Sequence, residues 1–124
     1  EDMEIIIIEK NSYVSYANCG LPYYVGGEIE NRDSLFLQSP ERLKARFNLD
    51  VRIQSEATAI NTRAKSLTIK GPEGDYELSY DKLILAPGGR ARVIGVSGLE
   101  EADNVFTVRN VSDVDKIKSF REFK

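Results

Sequence analysis

Met3-Glu4-Ile5-Ile6-Ile7-Ile8-Glu9 is the stretch on which the reading of the fold turns. A short, unbroken run of β-branched residues without polar alternation fits a strand buried on both faces, as in a parallel sheet. That pattern predicts an α/β fold. The acid closing the run has two readings. It is either a solvated residue at a strand end or a carboxylate that accepts hydrogen bonds from ribose hydroxyls, as in dinucleotide-binding folds. Only the polar dipeptide Glu1-Asp2 precedes the strand, so a segment upstream is expected to be missing.

Just beyond lies Ser15-Tyr16-Ala17-Asn18-Cys19-Gly20-Leu21-Pro22-Tyr23-Tyr24-Val25-Gly26-Gly27, which holds the only cysteine. A lone cysteine is ordinarily a small buried hydrophobe. Here small and polar neighbours argue otherwise. Gly20, Gly26 and Gly27 allow close backbone approach, and Pro22 suits the first turn of a helix beginning after the cysteine. A thiol at such a helix start sits in a field that favours the nucleophilic thiolate. Cys19 is therefore the first candidate for catalysis.

Composition narrows the function classes. The chain has 124 residues, room for one ordinary domain, with 41% hydrophobic and 30% charged residues. Its net charge of -3 gives no support to nucleic-acid binding, which needs a concentrated basic surface. One cysteine makes no intrachain disulfide, and with no histidine there is neither a sensible zinc site nor a histidine-assisted triad. No apolar run reaches the roughly 18 residues of a membrane span, and the start lacks the charge and length of a signal peptide. A cytoplasmic protein that binds no membrane is the expectation.

Residues 28–34 read as polar loop. Ser39-Pro40-Glu41 predicts a helix start, with the helix running through Phe47 and Asn48 as a left-handed cap. Its basic residues form either a solvated face that suits the helix dipole or a phosphate contact. Strands are predicted over 50–54, 57–61, 66–70 and 76–80, joined by turn-forming segments at 61–65 and at Gly71-Pro72-Glu73-Gly74-Asp75, which implies an antiparallel meander. Leu83 to Ala86 is apolar without alternation and is expected to rejoin the parallel sheet. Ala86-Pro87-Gly88-Gly89 then breaks the chain, as a tight turn or as backbone that a ligand approaches closely. Residues 90–104 read as loop, Val105 to Arg109 as a last strand, and Ser112-Asp113 as the cap of a helix to about Phe120. There is no internal repeat.

Taken in order, the Ile5–Lys10 run, the segment around Cys19, Tyr80-Asp81-Lys82-Leu83-Ile84-Leu85-Ala86-Pro87-Gly88 and Val105-Phe106-Thr107-Val108-Arg109-Asn110 resemble the FAD-dependent pyridine nucleotide-disulfide oxidoreductases. Asn18-Cys19-Gly20-Leu21-Pro22-Tyr23-Tyr24 is similar to their single-cysteine branch, the coenzyme A-disulfide and CoA-dependent persulfide reductases. Leu37 to Glu41 and Arg46 to Asn48 carry the same likeness. The resemblance covers essentially the whole chain. It implies part of a FAD-binding Rossmann-like domain, whose parallel sheet lacks its first strand and whose antiparallel β-meander is inserted. The glycine-rich βα unit before it, and the NAD(P)H and interface domains after Lys124, would lie outside residues 1–124.

The resemblance implies site roles as well. Cys19 would be the redox nucleophile. Glu9 would hold the adenosine ribose of FAD, with Lys10 beside it, and Ala57 would approach the adenine through its backbone. Ala86, Pro87 and Gly88 would line the cofactor path, and Arg109 would near the flavin. Ser15 and Asn18 would contact CoA, with Arg46 at a phosphate. Relatives commonly carry prolines between the Ala-Pro-Gly turn and the Gly-Leu that here is Gly98-Leu99; residues 90–97 depart from that pattern.

A one-cysteine enzyme stores its oxidised state as a mixed disulfide with a substrate thiol or as a sulfenic acid. The first implies NAD(P)H-driven reduction of a small CoA disulfide, persulfide or polysulfide, and the Asn-Cys-Gly-Leu-Pro-Tyr-Tyr segment favours it. The second implies an NADH oxidase or peroxidase. The resemblance further implies a homodimer. Three other expectations stand beside these. The 124 residues alone are inactive, or they form a folded remnant that binds no flavin, or the chain is a non-redox α/β binding module. Loss of a first strand would leave the strands at 5–8 and 83–86 to pair directly, rearrange or dimerise through the gap.

Overall fold

The computed structural model describes residues 3–122, so the Glu1-Asp2 dipeptide lies outside the described residues. The chain divides into two units, residues 3–15 with 38–86 and residues 16–37 with 87–122.

In the first unit, β1 (Ile6–Ile8) pairs in parallel with β4 (Asp50–Arg52), in the register Ile6 to Asp50, Ile7 to Val51 and Ile8 to Arg52. Main-chain bonds continue the ladder at both ends, from Asp50 N to Ile5 O and from Glu9 N to Arg52 O, each 2.9 Å. The parallel pairing expected of the isoleucine run is present. Burial on both faces is not: β1 is half-buried and Ile5 is exposed. The strand has one hydrogen-bonded neighbour among the described residues, and α2 (Pro40–Phe47), the helix on this pair, lies against β4.

Local chemistry sets both ends of α2. Ser39 Oγ accepts from Arg42 N at 3.3 Å, and Pro40 occupies the first turn, where its missing N–H costs nothing. Asn48 turns left-handed at φ 54° and donates its N–H to Lys44 O.

The meander is β5 (Glu56–Asn61), β6 (Ser66–Gly71) and β7 (Gly74–Ser79), antiparallel throughout, with a bulge between Ala57 and Ala59. Alternation along the central strand buries Leu67 and Ile69 on one face, the apolar core of this unit. Arg52 links the meander to β4. Its Nη1 donates to Tyr76 Oη at 3.2 Å, while Nε and Nη2 donate to Asp50 Oδ2 at 3.0 and 2.8 Å. The Tyr76 hydroxyl first, and Asp50 second, push the Arg52 guanidinium above its ordinary range, so it stays charged at any working pH.

The strand expected at 83–86 is not formed. Ile84 is 90% exposed and Leu85 66%, and no strand among the described residues pairs with them. Direct pairing of this segment with β1 is likewise absent.

In the second unit, a 3-10 turn at Asn18–Gly20 leads straight into α1 (Leu21–Gly26), which has Pro22 in its first turn. The loop expected at 28–34 is ordered at its end as a second 3-10 turn, Arg32–Leu35, because Asn31 Oδ1 accepts from Asp33 N at 2.9 Å. The short β3 (Phe36–Gln38) follows and pairs with β2 (Ser15–Tyr16). α3 (Val111–Glu122) packs on α1, and Leu21, Tyr24, Leu35, Val111 and Val114 form the core.

Val105 to Arg109 is not a strand either, because its polar groups are taken by α3. Asp113 Oδ2 accepts from Thr107 Oγ1 at 3.1 Å and from Arg109 N at 2.8 Å. Asn110 Oδ1 in turn accepts from Asp113 N at 3.0 Å. Asn110, rather than the expected Ser112-Asp113, therefore caps the helix, in a reciprocal arrangement close to a capping box.

Candidate functional site

Cys19 is exposed, at the centre of the 3-10 turn, and Asn18 precedes it in the same turn. Gly20 sets the turn's position. A Cβ there would lie 3.2 Å from Leu35 Cδ2 and 3.3 Å from both Ala17 Cβ and Ile29 Cδ1, so any larger residue would need these side chains to give by a few tenths of an ångström. Nothing lies within 4 Å of a Cβ at Gly26 or Gly27, so the backbone there is open to approach. The thiol thus faces solvent from a backbone seated on a packed core.

The same unit brings three of the cofactor candidates together. Gly88 turns at φ 69°, in the left-handed region, and a Cβ on it would stand 3.4 Å from Arg109 Nη2. Arg109 Nε donates to Gly89 O at 3.0 Å. The guanidinium therefore folds over the turn that Pro87 opens. All of these residues are exposed.

In the first unit, the loops after the parallel strands dock on each other. Ser55 N donates to Glu9 O and Gln54 N to Asn11 O, both at 3.0 Å. Glu9 thereby lies past the carboxyl ends of β1 and β4, where open α/β sheets bind ligands, while Ala57 sits in β5 opposite Ile69. Glu9 Oε1 accepts from Asn11 N and Nδ2, each at 2.7 Å. Its Oε2 makes no hydrogen bond among the described residues and remains open as an acceptor. Gln54 holds a left-handed φ of 52°, and its Nε2 donates to Ser12 Oγ at 3.3 Å.

Lys10 is exposed beside Glu9, and Ala86 is exposed at the end of this unit. Arg46 stands in the last turn of α2 with its guanidinium carbon 5.1 Å from the Phe47 ring centroid. Ser15 is half-buried in β2. No hydrogen bond joins Ser15 and Arg46 among the described residues.

Taken by itself, the first unit offers an open carboxylate oxygen at its strand ends, a group of the kind that accepts from ribose hydroxyls, and the second offers an exposed left-handed glycine under a guanidinium. Sequence reasoning missed Asn11 and Gln54 in these arrangements. Of these, only the Glu-x-Asn spacing carried a local signal. Among the described residues, no group of acidic or cysteine side chains could hold a metal, and no helix is long and apolar enough to cross a membrane.

Residues 1–121 match the family described as pyridine nucleotide-disulphide oxidoreductase. The coenzyme A disulfide reductase of Staphylococcus haemolyticus is 37% identical over 122 residues, 97% of this chain and 27% of that protein. Reduced CoADR-RHD of Bacillus anthracis superimposes with a TM-score of 0.91 at 48% identity, over 96% of this chain and 22% of that one. An NAD-dependent persulfide reductase from A. fulgidus gives 0.87 at 34% identity, over 96% and 22%. This chain belongs to the pyridine nucleotide-disulphide oxidoreductase family. Its fold is α/β, of the FAD-binding Rossmann-like kind. It spans 27% of the length of the curated relatives it matches.

Proposed function

We propose that the intact protein is a FAD-dependent NAD(P)H oxidoreductase that reduces coenzyme A disulfide, or a coenzyme A persulfide or polysulfide, through Cys19. The observation that carries this reading is an exposed thiol in a fixed turn, within a chain similar to coenzyme A disulfide reductases. The Cys19 thiolate attacks one sulfur of the substrate disulfide, forming a Cys19–S–S–CoA bond and releasing one CoA thiolate. FAD, when bound, supplies the electron pair that returns the mixed disulfide to two thiols. That pair would come from NAD(P)H.

The chain's own residues bind and orient. Glu9 accepts from the adenosine ribose through its open Oε2, with Lys10 beside it, and the Ala57 backbone meets the adenine. Ala86, Pro87 and Gly88 let the cofactor approach, with Arg109 at the edge of that turn. Asn18 and Ser15 contact CoA, and Arg46 meets a CoA phosphate. A homodimer and a cytoplasmic setting, where a free exposed thiol stays reduced, go with this reading.

Mass spectrometry of the full-length enzyme, purified without reductant, tests the proposal. The expected species is a dithiothreitol-reversible adduct of CoA mass on Cys19, absent from Cys19→Ser. Oxygen adducts alone would sink it and favour a sulfenic acid cycle.

A further inference from the structure

We propose that Lys118 is a positioning residue for Cys19: its ammonium, set over the Tyr24 ring and at the Tyr24 carbonyl, fixes α1 and with it the turn that presents the thiol. The Lys118 Nζ lies 4.0 Å from the Tyr24 ring centroid and donates to Tyr24 O at 3.4 Å. The ring contact is the closer of the two for its kind, and Tyr24 is only 7% exposed, so the ring has little freedom to leave the cation. Gly27 N donates to the same carbonyl at 3.3 Å, so both donors gather at the last turn of α1.

A helix of six residues does not hold itself together in water; its order comes from tertiary packing. α3 supplies that packing. Val111 and Val114 are buried at its start, and its Asp115 forms a two-pronged pair with Arg32, Nε to Oδ1 at 2.8 Å and Nη2 to Oδ2 at 2.7 Å. From α1 the constraint passes back along the chain. Leu21 is buried, and Gly20 is walled in by Leu35, Ala17 and Ile29, so Cys19 has no independent placement. Lys118 touches neither the thiol nor any candidate substrate contact. The functional meaning of its role rests on the reading of Cys19 as the redox thiol.

The test compares Lys118→Met, which keeps an apolar stem without the charge, with Lys118→Arg, which keeps a cation over the ring. Both are made in the full-length enzyme. The readout is the rate constant for alkylation of Cys19 by iodoacetamide at fixed pH, well below each variant's melting temperature. Lys118→Met is expected to change that constant by about threefold or more, with Lys118→Arg close to wild type. In a Tyr24→Leu background, Lys118→Met is expected to change the constant by less than it does alone, since the ring contact is then already gone. A Lys118→Met enzyme that melts earlier but alkylates at the wild-type rate overturns the proposal, as do equal changes in the Met and Arg variants. This readout needs only the thiol, so a missing CoA adduct would bear on the proposed function and not on Lys118.

Discussion

Gly20 concentrates the tension of the site into one missing side chain. Leu35, its nearest neighbour, is fully buried, 3.2 Å from where a Cβ would stand. Gly20→Ala therefore overpacks the core beneath Cys19, and such insertions cost about 1–3 kcal/mol. A urea unfolding series should show the midpoint falling without a change in slope. An unchanged midpoint would mean that the turn shifts freely, contrary to its packing. Gly88 is glycine for another reason, its left-handed φ beneath the Arg109 guanidinium, so the two glycines answer to space in one case and to backbone angle in the other.

At the scale of elements, α2 shows how a helix end can carry pH dependence. The Ser39 hydroxyl, and then the backbone N–H of Glu41 itself, hold the Glu41 carboxyl below its ordinary value of 4.5. A carboxyl lowered in the folded state adds stability that is present above its unfolded value and is lost as pH falls through the folded one. Stability should therefore decline below about pH 4.5 by a part that Glu41→Gln lacks, read as a smaller difference between denaturation midpoints at pH 6 and at pH 3. Equal differences in the two proteins would exclude the contribution.

The same helix explains what could be read from sequence. Ser39, Pro40 and Asn48 act on their own neighbours, so both helix ends were legible. Residues 83–86 and 105–109 were not, because apolar or β-branched content records a tendency to pair without naming a partner. The first found none among the described residues, and the polar groups of the second went to Asp113. The candidate site divides in the same way. The Cys19 turn and the Pro87–Gly88 break were visible in local residue types. Lys118 meets Tyr24 across 94 residues, a separation that leaves no mark in either segment.

Across the whole molecule, each unit is built from two separate stretches of chain. The pair of Arg32 with Asp115 closes a loop of 83 residues, and that of Lys118 with Tyr24 one of 94. Such closures are entropically costly and form slowly.

The solitary, outward-facing sulfur of Cys19 also limits what the chain can build from itself. A molecule with one reactive point can join one copy of itself and then has no valence left. Under mild oxidation of the isolated chain, a non-reducing gel should show a band at twice the chain mass and no ladder above it, with thiol reagents collapsing the pair. By the same token a maleimide dye has a single address, and every labelled molecule would carry its probe on the same turn.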